Sequence, residues 1–177
     1  VVVASDHGEG LWTRLDFLQG ARLRAVQAGD PTLVNSLQMT HGNLVNVELV
    51  HVPLILRAPG LAPGRVEARV ENVDLAATLM ELCDLKRPPG MHGDSLLPLA
   101  RAPARAQPRK SGAFTHTRLV SSLIDQDGMH LIVPTPVGEC QFGLRTELYD
   151  LEADPRERRD LAADRPEVVA RLKAEIE

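Results

Sequence analysis

Asp6 and His7 stand side by side, directly after the apolar run Val1-Val2-Val3-Ala4 and just before Gly8-Glu9-Gly10. A carboxylate is a hard oxygen donor and an imidazole a nitrogen donor, so the pair offers half of a divalent-cation site. The run before them is of strand type, and in open α/β sheets sites open just past the carboxyl ends of the strands. Gly8 and Gly10 let the backbone turn there without a Cβ in the way. The same residues also read as a strand followed by a polar turn, and alone they leave both readings open. Trp12 offers a stacking face for a ring at the mouth of such a site, or packing beneath the segment that follows. Arg14 and Arg22 offer cations to an anionic substrate, or ordinary solvated charge.

Those residues need elements to hold them. A Val-Val-Val-Ala run suits a strand buried on both faces of a parallel sheet, which requires neighbouring strands. Few candidates for such neighbours follow. The expectation is therefore the carboxyl-terminal part of a larger protein, with a processed amino terminus as the alternative. Residues 11–40 read as a long excursion over the site mouth, helical around Leu15 to Val26. The stretch from Val47 to Arg57 contains a second expected buried strand, which starts at or near Pro53. Leu75, Leu79 and Leu82 recur at i, i+4 and i+7, widened by Ala76, Met80 and Cys83. That spacing predicts a helix, with Asn72 or Asp74 capping its amino end and Cys83 packed in its apolar stripe.

Farther on, residues 88–98 predict a turn-rich loop, and the Pro/Ala/Arg/Lys stretch from Ala100 to Gly112 predicts a linker or surface loop. From Ala113 the pattern changes to short strands. Leu119 to Asp125 and Met129 to Val133 flank Gln126-Asp127-Gly128, a hairpin signal. Thr146 to Leu151 predicts another strand, and His116 and His130 fall on strands of this small sheet. Pro166 suits the first turn of a closing helix whose Val168, Val169, Leu172 and Ile176 share one face.

Composition excludes some classes. In 177 residues the net charge is −4, which argues against a nucleic-acid partner held on a basic surface. No apolar run approaches the roughly 20 residues of a membrane-spanning helix. The two cysteines, Cys83 and Cys140, are too few for a disulfide framework and have no zinc-ligand spacing.

Five landmarks, in order, resemble the sulfatases of the alkaline-phosphatase superfamily. Ser5-Asp6-His7-Gly8-Glu9 resembles their "S-D-H-G-E" segment. His41-Gly42, then Val52-Pro53-Leu54-Ile55 and Pro59-Gly60, resemble the "H/K-G … V-P-L-I-I … P-G" block. Asp74-Leu75-Ala76-Ala77-Thr78-Leu79 resembles "D-L-A-P-T-L", and Gly93-Asp94-Ser95-Leu96-Leu97-Pro98 resembles "G-x-S-L-x-P". Glu147-Leu148-Tyr149-Asp150-Leu151 with Asp154-Pro155-Arg156-Glu157 resembles "E-L-Y-D-L-x-x-D-P-x-E".

The resemblance implies hydrolysis of sulfate esters by a metal-held, hydrated formylglycine. Asp6 and His7 would then be metal ligands, completed by acids earlier in a longer chain. His41 would be the basic residue at the sulfate, both catalytic and substrate-binding, donating to a sulfate oxygen or to the leaving alcohol. Trp12 would line the substrate site. Calcium is the metal the family implies first, and a histidine ligand also suits manganese or zinc.

Departures matter as much. No cysteine or serine is followed by x-Pro-x-Arg, so the formylglycine nucleophile is not in this chain. Cys83-Asp84-Leu85-Lys86-Arg87 is a near miss with leucine where proline belongs. His51 stands where the family often has arginine, and Ala77 where it often has proline.

The expected fold is α/β. Residues 1–100 would form the carboxyl-terminal part of a doubly wound alkaline-phosphatase-like sheet and residues 101–112 a linker or surface loop. Residues 113–177 would form a small antiparallel sheet with a terminal helix. The expected partners are an anionic sulfate-ester or phosphate-ester substrate and the missing amino-terminal part of the catalytic domain. A homo-oligomer and a cytoplasmic or periplasmic location stay open. Alternatives are a phosphodiesterase or phosphonate monoester hydrolase of the same superfamily, and a non-catalytic remnant or interaction module.

Overall fold

The structure is a computed structural model, and it describes residues 1–9, 43–102 and 112–176. Its contacts divide into two units, Val1–Asp6 with Pro53–Ala113 and His7–Val52 with Phe114–Glu177.

In the first unit, β1 (Val2–Ala4) pairs with β2 (Leu54–Leu56). The pairing is antiparallel, with Val2 opposite Leu56, Val3 opposite Ile55 and Ala4 opposite Leu54. The expected parallel strand, buried on both faces, is corrected here. Register partners project to the same face, and Val3 and Ile55 are 51% and 61% exposed. Apolar content alone did not reveal which face is covered.

Helix α2 (Val73–Leu82) forms where the leucine spacing predicts it, but it buries a different face. Its covered residues are Asp74, Ala77 and Thr78, while Leu79 is 45% exposed. Cys83, expected in the packing, is exposed. The reason is a polar seam. The Asp74 carboxylate accepts the N–H groups of Glu71 (3.0 Å) and Asp94 (2.8 Å). The Thr78 hydroxyl donates to the Asp74 carbonyl and accepts the Leu96 N–H at 2.9 Å. Asn72, the other proposed cap, donates from its side chain to the Ser5 carbonyl, 2.9 Å away.

The loop joined to this seam is equally specific. Gly93 has φ +82°, and a Cβ there would collide with the Val73 carbonyl. Arg87 donates to the carbonyls of Met91 and Gly93, drawing the loop together. A short helix, α3 (Leu97–Arg101), follows with Leu97 buried.

The second unit opens, among its described elements, with a single helical turn, α1 (Val47–Val50). The strand expected within Val47–Arg57, with Pro53 near its start, forms at Leu54–Leu56, although Ile55 is exposed rather than buried, and the residues ahead of it form this turn. Two β-branched residues in four would favour a strand; tertiary contacts described below override that preference.

Beyond it lies a four-stranded sheet in the order β3 (Ala113–His116), β4 (Val120–Ile124), β5 (Met129–Pro134), β6 (Glu147–Asp150). β4–β5 and β5–β6 are antiparallel. Asp125 shapes the predicted hairpin by accepting the N–H groups of Asp127 (3.0 Å) and Met129 (2.8 Å) on one oxygen. Its other oxygen takes Arg171 at 2.6 Å.

Alternation along the strands makes two apolar layers. Leu123, Met129, Leu131 and Leu148 pack with Leu172 of the terminal helix α5 (Pro166–Ile176), joined by Val168, Val169 and Ile176. That is the face the sequence predicts. On the opposite side Val120, Ile132 and Tyr149 pack with Val45, Leu119, Phe142 and Leu144.

Phe142 belongs to α4 (Pro136–Phe142), a helix that the sequence reading did not anticipate. Its signals are standard ones: Thr135 accepts the Gly138 N–H, Pro136 sits in the first turn, and Gly143 ends it at φ +60°. No helix among the described residues is long and apolar enough to cross a membrane.

Candidate functional site

Asp6 lies two residues past the end of β1 and is exposed. The chain there is tied to α2 through the Asn72–Ser5 bond. His7, in the second unit, is 41% exposed at its side chain. Its Nδ1 lies 2.8 Å from the Gly8 carbonyl and 4.0 Å from a Glu9 carboxylate oxygen. Donation from Nδ1 to that carbonyl selects the tautomer with the lone pair on Nε2, the form in which an imidazole binds a cation. The donor types suit a divalent metal. Among the described residues they are not joined by a third, since no group of three or more His, Cys, Asp or Glu gathers there.

Gly8 shows why the segment after His7 is built as it is. Its N–H donates to the Leu49 carbonyl at 2.7 Å. A Cβ on Gly8 would run into the Glu48 carbonyl oxygen. The requirement at this position is close backbone approach to α1, rather than the sharp turn expected from sequence.

The turn that Gly8 leans on is itself held from far along the chain. Glu157 is buried, with φ +50°. One of its oxygens accepts the Asn46 side-chain amide at 3.0 Å. The other accepts the Val47 N–H at 3.2 Å and meets His130 Nδ1 at 2.5 Å. The Val47 N–H is one of the donors that a helix start leaves without a partner inside the helix. The Asn46 side chain is engaged with Glu157 and makes no cap bond of its own.

Glu157 is aimed inward by the turn before it. Asp154 accepts the N–H groups of Arg158 (2.6 Å) and Arg159 (2.9 Å). Those bonds, that from Arg159 foremost, hold the Asp154 carboxyl below its ordinary value. At the far end of the unit, Asp125 raises the Arg171 guanidinium above its ordinary value through their hydrogen bond.

Of the site residues singled out in the sequence, the structure describes Asp6 and His7. His41, Trp12, Arg14, Arg22 and Gly10 lie outside the described residues. Sequence reasoning assigned no role to Asn46 or Glu157. The signal for Glu157 was present in the Asp154-Pro155-Arg156-Glu157 motif.

Residues 42–120 match the family model described as N-sulphoglucosamine sulphohydrolase, C-terminal. A choline-sulfatase of Rhizobium meliloti is 25% identical over 170 residues, covering 92% of this chain and 27% of its own. Arylsulfatase K of Mus musculus is 29% identical over 135 residues, covering 70% of this chain and 24% of its own. The chain is similar to the carboxyl-terminal portion of sulfatases and shares the fold of solved sulfatase structures. A solved phosphonate monoester hydrolase from Silicibacter pomeroyi shares the fold. Its TM-score is 0.68 at 23% identity, over 99% of this chain and 33% of its own.

The sulfatase-family landmarks now have structural content. Two of them, from Asp74 and from Gly93, form the polar seam of α2. The last one supplies Leu148 and Tyr149 to the two core layers and Glu157 to the Asn46–Val47 turn. The chain spans 27% and 24% of the length of the two curated relatives.

Proposed function

We propose that this chain contributes to a metal-dependent hydrolase of sulfate esters, completed by chain that its relatives possess and these residues do not include. The observation that carries the reading is the match of residues 42–120 to the sulphohydrolase family, with the Ser5-Asp6-His7-Gly8 segment ahead of it. Asp6 would supply an oxygen ligand and His7 Nε2 a nitrogen ligand. A divalent cation held there, calcium first, would supply positive charge toward the ester oxygens and the nucleophile. His41 as imidazolium donates a hydrogen bond to a sulfate oxygen, or its proton to the departing alkoxide. Trp12 presents a flat apolar face to the ring of the alcohol. The nucleophile, a formylglycine in this reading, comes from outside the chain.

The exposed pair Val3 and Ile55 supports the larger assembly. A two-stranded sheet is marginal in water and gains stability from further strands or a covering element. In this reading the remaining catalytic domain covers it, and residues 1–177 alone are inactive.

A phosphorus-directed variant of the same chemistry draws support from the phosphonate monoester hydrolase with the same fold. Both reactions place a tetrahedral anion against a cation and basic groups.

Calorimetric titration of the longest chain carrying these residues with calcium and with manganese tests the ligand assignment. Asp6→Asn and His7→Ala are each expected to weaken binding by about tenfold or more. Unchanged affinity in both variants refutes it.

A further inference from the structure

We infer that Glu157 is a positioning residue for the metal-binding end of the site, acting through the Asn46–Val50 turn on the backbone beside His7. The inference rests on the reading of His7 as a ligand, and it assigns a task to a residue that makes no contact with substrate.

Each link in the chain of contacts is a hydrogen bond. Glu157 accepts the Val47 N–H and the Asn46 amide, which fixes where α1 begins. Inside that turn the Asn46 carbonyl accepts the N–H groups of Leu49 (2.8 Å) and Val50 (3.3 Å), and the Val47 carbonyl accepts that of His51 (2.8 Å). The Leu49 carbonyl, so oriented, accepts the Gly8 N–H. Gly8 in turn presents its own carbonyl to His7 Nδ1, the contact that selects the ring's tautomer.

Burial makes the arrangement demanding. The side chains of Glu157 and His130 are both fully buried. A buried carboxylate is tolerated when donors fill its lone pairs, and here they come from Asn46, Val47 and His130. The imidazole serves it with Nδ1, and among the described residues His130 Nε2 has no hydrogen-bond partner. A residue needed only for packing on this face would be apolar, like the neighbouring Val45 and Ile132. The left-handed backbone of Glu157 is a further local cost that the inward side chain offsets.

The test uses the longest chain carrying these residues and the variant Glu157→Gln. It keeps the shape of the side chain but turns an amide donor toward one of the groups that now donate to the carboxylate. Amide hydrogen exchange at Gly8 is expected to accelerate by about tenfold or more, with exchange at Leu131 and Leu148 changed far less. Calcium affinity is expected to fall by about tenfold, and that fall is expected to vanish when His7 is already Ala. Unchanged Gly8 exchange, or acceleration in step with the sheet amides, overturns the inference. So does a loss of calcium affinity that persists undiminished in the His7→Ala background. If His7→Ala alone leaves affinity unchanged while Gly8 exchange responds as expected, the ligand reading fails and Glu157's hold on Gly8 stands.

Discussion

The Asp74 carboxylate reaches across 20 residues to accept the Asp94 N–H at 2.8 Å, with Asp74 only 1% exposed. One helical acid thereby fixes a loop that has little apolar packing of its own. Four residues along the helix, Thr78 repeats the device with Leu96. Together they explain why a helix with leucines at core spacing turns a polar stripe inward.

Removing either acceptor strands a donor. Asp74→Ala is expected to cost about 2–3 kcal/mol and Thr78→Val about 1–2 kcal/mol. Urea denaturation measures both. Losses below half a kcal/mol in each would mean the seam is replaced by water at no cost.

Leu172 tests the other core layer. It is fully buried between α5 and the sheet, so Leu172→Ala is expected to destabilise by about 2–5 kcal/mol. The exposed Arg159–Asp164 pair is the control. Breaking it is expected to change stability by less than about 1 kcal/mol.

Acid stability should carry the mark of Asp154. Its carboxyl titrates below the ordinary 3.8, chiefly because the Arg159 N–H bonds to its charged form. Its stabilising contribution is therefore complete above that value and lost as pH falls through the lower value of the folded state. Stability curves between pH 5 and pH 2 are expected to show a shallower acid decline below 3.8 for Asp154→Ala than for the parent. Parallel curves would remove Asp154 from the acid response.

The elements most legible in sequence were those whose pattern and packing agree. Asp127-Gly128 between two apolar runs gave the hairpin, and Val168, Val169, Leu172 and Ile176 gave the face of α5. The helical turn Val47-Glu48-Leu49-Val50, ahead of the strand expected from Pro53, was not foreseen, and its first N–H is accepted by Glu157, a residue 110 positions away. No local pattern carries that. α4 was overlooked although Thr135, Pro136 and Gly143 mark its ends, since its seven residues hold too few apolar positions to show a period. At the site, the types and spacing of Asp6, His7 and Gly8 were visible at once. The turn that takes the Gly8 N–H was not, because its start is bonded to the side chain of Glu157, far along the chain.

The most direct test is the hydrolysis of an aryl sulfate and an aryl phosphonate monoester by the longest chain carrying these residues, alongside His41→Gln and His7→Ala. Faster cleavage of the sulfate is expected, with kcat/KM lowered by about a hundredfold or more in each variant. Sulfate turnover that survives both substitutions unchanged, or cleavage confined to the phosphonate, would contradict the account.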